Sequence, residues 1–259
     1  MSLSIGDALR DGADRFLSRT GAILVAAYAA GMVVYLASFN GLFAALLARY
    51  LSAQQATAAT GVTYPAPVPV YAVVTLGVLV GLSALTVVAV RTFVAGATDH
   101  VPREFYTRRL AWTTPNTIAC GVAFGLLVLV GTALLVVPGV VAYVGFVFAT
   151  LFVAVEDENF VAALADSWRL VRPNFLATFG LLLVLVVGVG VVAGVASVVV
   201  SVALLVAGLD GWTGVVTSVL TAPLSILVLA VLAAAFEQLR TDDPARGTTP
   251  TAGGDPPAG

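Results

Sequence analysis

The sequence between residues 158 and 207 reads ENFVAALADSWRLVRPNFLATFGLLLVLVVGVGVVAGVASVVVSVALLVA. Its first part is charged, whereas its second part, from residue 175 onward, contains no charged residue. About 20 apolar residues are enough for a helix to cross the ~30 Å hydrocarbon layer of a bilayer. The second part therefore predicts a membrane-spanning helix, and the first part predicts a short helix that lies at the membrane surface.

The whole chain repeats this contrast between short charged segments and long apolar runs. Of its 259 residues, 60% are hydrophobic and 10% are charged, and the mean hydropathy is +1.04. Soluble proteins carry about 25% charged residues, so the composition excludes that class. We predict an all-α, polytopic membrane protein with six transmembrane helices and short amphipathic cytoplasmic helices. The predicted spans are about 21–48, 69–97, 117–137, 138–155, 175–207 and 213–236.

Several of these spans have features that predict their shape. The first, second and fifth exceed about 20 residues, so we expect them to tilt or bend. The third and fourth share one uncharged run, and Pro138 is expected to open the fourth, since proline suits the first turn of a helix. Pro223 lies within the sixth span and is expected to bend it.

Basic residues lie almost entirely in segments that the six spans place on one side of the membrane. All twelve are arginine, which is typical of a GC-rich or halophilic source. Only Arg49 falls on the other side, so the positive-inside rule predicts a plasma-membrane protein with both termini in the cytoplasm. The remaining arginines are Arg10, Arg15, Arg19, Arg91, Arg103, Arg108, Arg109, Arg169, Arg172, Arg240 and Arg246.

The two ends of the chain and the single cysteine carry three further expectations. Residues 1–20 mix aspartates with arginines, so they are not expected to be a cleaved signal peptide. The six-span domain is expected to cover residues 1–240. Residues 241–259 lack apolar side chains to bury and are expected to form a disordered cytoplasmic tail. Cys120 lies in an apolar run and has no second cysteine with which to form a disulfide.

Three charged segments share one design, in which a short helix precedes a span. In the segment after residue 158, one helical face carries Phe160, Leu164, Trp168 and Val171. Trp168 is expected at the depth of the lipid head groups. Near the N-terminus, Ser4 and Asp7 match a capping box before a similar apolar stripe. Residues 101–116 are a weaker version, and we infer three units, each a cytoplasmic arm followed by two spans.

One motif covers the fourth predicted span and the segment after it. A Pro-Gly opens the span, an acidic residue follows it, and an A-L-x-x-S-W-x-L-x-x-x-N segment precedes the next span. The matching residues are Pro138, Gly139, Glu156, Ala163, Leu164, Ser167, Trp168, Leu170 and Asn174. This pattern resembles the membrane domain found beside some bacterial glycerophosphodiester phosphodiesterases, and related uncharacterised membrane proteins that include haloarchaeal ones. Members of that group often have Lys-Gly before the Asn, where this chain has Arg172-Pro173.

This resemblance implies six helices and does not imply an activity. The catalytic phosphodiesterase barrel is not expected here, because no soluble segment is long enough to form one. A non-catalytic role is the simplest expectation for the motif residues. We expect contacts with the membrane interface or with a partner from Trp168, Arg169, Arg172, Asn174, Glu156, Pro138 and Gly139.

Acidic residues near the motif are open to two interpretations. Glu156, Asp157 and Glu158 are adjacent oxygen ligands that could bind a cation. Alternatively, they could favour the positively charged N-terminus of the following helix. Asp166 and Arg169 are spaced three residues apart, as in a surface ion pair on a helix. The spacing predicts no metal, cofactor or catalytic site, and the net charge of −2 gives no reason to expect nucleic-acid binding.

Two polar residues lie near the end of the second span. Arg91 is expected to extend its guanidinium group to the interface as an anchor, with contact to a substrate anion as the alternative. His100, beside Asp99, could be a general base, but no nucleophile is placed with it, and a solvated interfacial residue is the simpler interpretation. Pairs of glycines could pack helices within one bundle or drive self-association; they are Gly77–Gly81, Gly121–Gly125 and Gly190–Gly194.

Three classes of function remain open from the sequence. The leading hypothesis is a non-catalytic membrane module that supports lipid or envelope processes through membrane lipids or protein partners. The alternative is a transporter or lipid-handling channel, which a continuous polar cavity between spans would favour. The absence of an acid, lysine or histidine in the middle of a span weighs against ion coupling. A membrane-embedded enzyme would require Asp99, His100 and Glu156 to converge.

Overall fold

A computed structural model describes residues 3–52, 55 and 61–241 of the protein. The predicted tail lies outside these residues, apart from Thr241. The described part is helical and contains no strand. Its helices are α1 (Ile5–Phe16), α2 (Arg19–Leu47), α3 (Val68–Val94), α4 (Arg103–Thr107), α5 (Leu110–Leu134), α6 (Val136–Phe146), α7 (Ala149–Glu156), α8 (Phe160–Val171), α9 (Phe175–Val206) and α10 (Thr213–Thr241).

Six helical segments of the described chain are long and apolar enough to cross a membrane. Four of them are α2, α3, α5 and α10. The other two are compound, because α6 continues into α7, and α8 continues into α9 through a 3-10 turn at Arg172–Asn174. The prediction of an all-α, multi-pass membrane protein with six apolar helices is confirmed.

Polar side chains fix where three of the helices begin. The Ser4 hydroxyl accepts a hydrogen bond from the Asp7 amide at 3.4 Å, as the capping motif predicts. The Ser18 hydroxyl accepts from the Gly21 amide at 3.0 Å and starts α2. The Asn159 side chain accepts from two amides of the first turn of α8. Each cap satisfies amides that have no partner within their own helix.

Helix α10 lies at the centre of the bundle and packs against α1, α2, α3 and α9. Its Phe236 is fully buried and meets the ring of Phe152 edge-on, with centroids 4.9 Å apart. The ring of Phe148 is tilted against the same ring, with centroids 5.9 Å apart. Since lipid is as apolar as these side chains, close packing holds the helices together more than removal from water does.

Helix α1 docks against α10 through a glycine. Gly12 is buried, and a methyl group added there would lie 2.5 Å from the Cα of Val231. The two backbones are therefore too close for any side chain at this position. Arg15, one turn later, forms an ion pair with Glu237 of α10 and donates to the carbonyl of Phe93 at 2.6 Å. The N-terminal arm is thus packed against the bundle by contacts with two long helices.

Hydrogen bonds bring the ends of several helices together at one end of the bundle, which we call the charged end. It comprises residues 10–20, 91–110, 154–174 and 237–241. The amide of Thr20 donates to the carbonyl of Thr98 at 3.1 Å, which links the start of α2 to the segment after α3. Helices α7 and α10 meet there through an ion pair between Glu156 and Arg240.

The opposite end of the bundle joins the end of α2 to the start of α3. The Ser38 and Tyr64 hydroxyls are 3.0 Å apart, and Asn40 donates to the carbonyl of Val62 at 3.4 Å. A methyl group added to Gly61 would lie 3.1 Å from the carbonyl oxygen of Gly211, so the segment before α10 also reaches this end. The helices therefore alternate in direction between the two ends.

The segment predicted as a third arm is mostly part of a long helix. Helix α5 starts at Leu110, whereas the predicted span starts at residue 117, and only the five-residue α4 remains as a separate arm. Pro115 lies inside α5, in its second turn, where proline removes one hydrogen bond from the helix. The first turns are also held from outside, because Thr113 and Asn116 bond to residues beyond α7. Such contacts cannot be read from local apolarity.

The Pro138-Gly139 pair lies at the start of α6, directly after a tight turn between two helices. Leu135 is extended, with φ −163° and ψ 147°, and it separates α5 from α6 by a single residue. Pro138 lies in the first turn of α6. Gly139 is buried against Thr132, and any side chain there would overlap the threonine hydroxyl and backbone. The pair therefore allows α5 and α6 to pack closely as soon as the chain reverses.

The three glycine pairs do not pack helices within this bundle. All six glycines are exposed, and a methyl group added to any of them would meet no other atom within 4 Å. The interpretation that they pack helices within one chain is therefore wrong. Closely approaching glycines occur elsewhere, at Gly12, Gly41 and Gly139. Self-association through the exposed pairs stays a prediction.

Candidate functional site

Arg91, in the last turn of α3, is the most extensively bonded side chain at the charged end. Its Nε donates to the carbonyl of Ala154 at 2.6 Å, and its Nη1 donates to the carbonyls of Phe105 at 3.0 Å and Arg108 at 2.8 Å. Its Nη2 lies 2.5 Å from a carboxylate oxygen of Asp157. Arg91 is 5% exposed, so the expectation that it extends to the interface is wrong. It joins α3 to the segments that surround α4 and α7.

Asp157 is the partner that makes this burial possible. Besides Arg91, its carboxylate accepts from Arg108 Nε at 2.9 Å and from the Thr113 hydroxyl at 2.8 Å. Burial alone would raise the pKa of Asp157, but hydrogen bonds from Thr113 and Arg108 and the charges of both arginines lower this pKa overall. Asp157 therefore stays ionised and balances Arg91. We call Arg91, Arg108, Thr113 and Asp157 the arginine–aspartate cluster.

The backbone at two positions of this cluster is left-handed. Asp157 has a φ of +55° and ends α7, and Arg109, which follows Arg108, has a φ of +46° and precedes α5. Non-glycine residues adopt this conformation uncommonly, and aspartate does so more readily than most. The two turns point Asp157 and Arg108 toward each other, so the cluster sits where three chain segments change direction.

A group of carboxylates adjoins the cluster. Glu158, between α7 and α8, lies beside Glu156 and Asp166. Burial, reinforced by the negative charges of Asp166 and Glu156, raises the pKa of Glu158 to about 7. Glu156 also pairs with Arg240 at 3.2 Å, and Asp166 pairs with Arg169 at 2.8 Å. Within the described residues no set of three acidic, histidine or cysteine side chains could hold a metal ion, so the cation interpretation gains no support.

Trp168 and its neighbour attach α8 to the end of α6. The Ser167 hydroxyl is buried and donates to the carbonyl of Gly145 at 2.9 Å. The Trp168 ring lies over Gly145, where any side chain would overlap it, and its centroid is 5.9 Å from that of Phe146. A groove of about 420 Å³ runs from this tryptophan along α6 to Pro138. The motif residues Trp168 and Pro138 thus lie on one surface.

The other predicted contact residues differ in their exposure. Arg169 is 77% exposed and pairs with Asp166, three residues earlier, as its spacing predicts. Arg172 is exposed at the start of the 3-10 turn. Asn174 is half-buried and precedes α9, but its side chain makes no capping hydrogen bond. Glu156 is half-buried at the end of α7. All four of these residues lie at the charged end. The remaining two, Pro138 and Gly139, lie at the start of α6.

Comparison with known proteins gives one match. Residues 3–239 match the family described as a domain of unknown function, DUF7847. The chain belongs to this family. No curated protein and no solved structure is significantly similar to the chain. The match covers every helix named above except the last two residues of α10, so the DUF7847 domain includes the membrane-length helices and nearly all of the charged end.

The DUF7847 fold does not bring the possible acid–base residues together. Asp99 and His100 are exposed in the segment after α3, as expected for solvated residues. Glu156 faces α10, where it pairs with Arg240. The described residues also contain no metal-binding group of three acidic, histidine or cysteine side chains. The geometry gives no support to an enzyme that uses these three residues.

The sequence contained a signal for the arginine–aspartate cluster, although the spacing of Arg91 and Asp157 did not show that they form a pair. Arg91 is the only charged residue between residues 50 and 98, and Asp157 lies just after the next long uncharged run, residues 110–155. A lone charge at the end of an apolar run either reaches the interface or finds an opposite charge within the protein. Choosing between these outcomes requires knowing that α3 and α7 end side by side.

Proposed function

We propose that the chain is a plasma-membrane protein, with both termini in the cytoplasm, that binds anionic phospholipids and has no catalytic role. It would act as a membrane module in lipid or envelope processes. The observation that supports this most is the gathering of exposed arginines at the charged end. Besides Arg108, which belongs to the arginine–aspartate cluster, they are Arg10, Arg19, Arg103, Arg109, Arg169 and Arg172. Arg49, after α2, is the exposed arginine of the opposite end.

Arginine suits this role because its planar guanidinium group forms paired hydrogen bonds with phosphate. Each basic residue near an anionic membrane surface contributes about 1 kcal/mol to attraction. Tyr106 at the charged end and Trp112 just after it are also about half exposed, and aromatic residues with polar atoms favour the head-group layer. The resemblance of residues 138–174 to a membrane domain found beside glycerophosphodiester phosphodiesterases supports a lipid-related setting.

The arrangement of the buried charges supports a binding role over a catalytic one. Arg91 and Asp157 satisfy each other and the surrounding carbonyls, so their hydrogen-bonding groups are already engaged. A catalytic acid or base must instead be able to reach a substrate. The exposed arginines, by contrast, are held on helices whose ends are fixed by this cluster. We infer that the cluster positions the surface and that the exposed arginines make the contacts.

The proposal is tested by measuring which lipids the purified protein retains. The full chain is exchanged from detergent into bilayers that contain equal parts of phosphatidylglycerol and phosphatidylcholine, and retained lipids are counted by native mass spectrometry. A variant with Arg10, Arg103, Arg169 and Arg172 changed to Gln should bind anionic lipid more weakly, by up to about a thousandfold, because four charges contribute about 1 kcal/mol each.

The matched control is Arg49→Gln, which removes an exposed arginine from the opposite end. It should leave the preference for phosphatidylglycerol at the charged end unchanged. If the fourfold variant keeps the native lipid preference, the charged end does not bind anionic lipid and the proposal fails. Thermal unfolding in detergent confirms that each variant is folded.

A further inference from the structure

A cavity lies between the membrane-length helices, and its lining residue Thr117 is one helical turn beyond Thr113 of the arginine–aspartate cluster. Helix α3 packs against both α2 and α5, and these three helices line a cavity of about 280 Å³. Five of the residues that line it carry hydroxyl groups: Tyr28, Tyr35, Ser83, Thr86 and Thr117. No charged side chain is among the described residues that line it. The presence of five hydroxyl groups at one place between apolar helices requires a physical explanation.

The hydroxyls of α3 are already used as donors. Ser83 donates to the carbonyl of Leu79 at 2.8 Å, and Thr86 donates to the carbonyl of Leu82 at 2.9 Å. Serine and threonine commonly bond in this way to the preceding helical turn. Each of these oxygens still has a lone pair, so each can accept a hydrogen bond from a molecule in the cavity.

Thr117, on α5, differs from these two. Its side chain is 7% exposed, and its hydroxyl makes no hydrogen bond to any described residue. A buried hydroxyl without a partner is unfavourable, because it has lost its hydrogen bonds to water and has formed none within the protein. The phenol groups of Tyr28 and Tyr35 line the same cavity and also bond to none of the described residues. The cavity thus offers both donors and acceptors of hydrogen bonds.

These properties define the chemistry of a fitting ligand. The ligand must accept and donate hydrogen bonds, as a hydroxyl group does, and it must be uncharged, because the cavity supplies no opposite charge. Leu79, Leu82 and Met32 line the remaining wall, which suits an alkyl chain. The lining residues come from the middle of α2 and α3, so a ligand would enter from the lipid. We propose that this cavity binds an uncharged amphiphile with a hydroxyl head, of the long-chain alcohol class.

The test uses hexadecanol that carries a photoreactive diazirine near its hydroxyl end, added to vesicles that contain the full chain. Matched probes are the corresponding hydrocarbon and fatty acid, and labelled peptides are identified by mass spectrometry. We expect the alcohol to label α2, α3 and α5 around the cavity, and unlabelled hexadecanol to compete. Thr117→Val keeps the side-chain shape but removes the hydroxyl, and it should reduce this labelling about fivefold.

A control variant and a second cavity variant separate loss of the site from loss of the fold. Thr132→Val removes a hydroxyl that bonds to Val128 on the exposed part of α5, and it should leave labelling unchanged. Ser83→Ala removes an acceptor inside the cavity and should weaken labelling, as Thr117→Val does. Equal labelling by the hydrocarbon probe, labelling away from these helices, or native labelling of Thr117→Val would each overturn the proposal. These outcomes do not depend on anionic lipid binding at the charged end.

Discussion

At the scale of single residues, Arg91 shows how a membrane-length helix can end in a buried charge. A guanidinium group has five N–H donors, and Arg91 directs donors to Ala154, Phe105, Arg108, Thr113 and Asp157. Because the side chain is both paired and hydrogen-bonded, it can stay inside the protein. The consequence is that α3, the segment around α4, and α7 are held at fixed relative positions.

Removing the charge of Asp157 should therefore destabilise the protein strongly. Asp157→Asn leaves Arg91 buried without an opposite charge, and breaking a buried ion pair from one side costs about 3–5 kcal/mol. We predict a large fall in the midpoint of thermal unfolding in detergent, measured by circular dichroism. Arg169→Gln breaks an exposed pair with Asp166 and should change stability by less than about 1 kcal/mol. Equal effects of the two substitutions would contradict the structural role of the cluster.

Glu158 should make stability depend on pH. Its pKa is about 7 against an ordinary value of 4.5, because burial and the charges of Asp166 and Glu156 disfavour ionisation. The folded state thus binds a proton at Glu158 more tightly than the unfolded state, so the contribution of Glu158 to stability is most favourable below pH 4.5 and falls as the pH rises to about 7. The side chain is only half-buried, so solvent screening limits the effect to on the order of 1 kcal/mol.

The corresponding variant is Glu158→Gln, which cannot ionise. We predict that it unfolds at a higher temperature than the native chain above pH 7, and that the difference disappears near pH 4.5. Thermal unfolding across this pH range measures the effect. Glu104→Gln, at an exposed position on α4, is the control. A difference that is constant from pH 4.5 to 8 would show that Glu158 is not the responsible group.

At the scale of helices, close backbone contacts decide where the short arms dock. Gly12→Ala places a methyl group 2.5 Å from the Cα of Val231, so α1 must move away from α10. We predict a loss of about 1–3 kcal/mol, as for overpacked sites in protein cores. Gly6→Ala is the matched control on the same helix, since a methyl group there meets nothing within 4 Å. It should be neutral or stabilising, because alanine favours the helix more than glycine does.

These two variants are compared by thermal unfolding in detergent. Limited proteolysis near the N-terminus provides a second measurement, since an undocked α1 is more accessible to protease. If Gly12→Ala and Gly6→Ala behave alike in both measurements, α1 does not pack against α10 as described.

The exposed glycine pairs are predicted to act between chains. Gly121 and Gly125 face outward from α5, so isoleucine at both positions should leave the fold of one chain intact while keeping a partner helix at a distance. We predict an unchanged unfolding temperature and less chemical crosslinking between chains in vesicles. The same changes at the other two pairs identify which helix is responsible. Native crosslinking in all three variants would rule out self-association through these glycines.

Much of the helical architecture follows from sequence, but several of its contacts do not. Long uncharged runs predict six apolar helices, since few other structures satisfy the backbone in lipid. The start of α5 at Leu110 is not predictable in this way, because the contacts of Thr113 and Asn116 come from residues more than 40 positions away. The contact of Trp168 is not predictable either. Helical periodicity places Trp168 on an apolar face, but it does not reveal that this face packs against Gly145 of α6.

At the scale of the whole molecule, the two ends of the bundle differ in charge. Ion pairs and exposed arginines gather at the charged end, whereas Ser38, Asn40 and Tyr64 join the helices at the other through neutral hydrogen bonds. The sequence predicts this separation by placing eleven arginines on one side of the six spans. It does not predict the cavity between α2, α3 and α5, because five hydroxyl residues from three helices share no local pattern.

The central claim is that the arms of all units lie on one side of the membrane, and cysteine labelling tests it most directly. Single cysteines replace Arg103, Arg169 and Leu209 in a Cys120→Ala background, and a membrane-impermeant maleimide is applied to intact cells and to inverted vesicles. We predict that positions 103 and 169 are labelled only in inverted vesicles, whereas position 209 is labelled only in intact cells. Labelling of positions 103 and 169 from opposite sides would contradict this account.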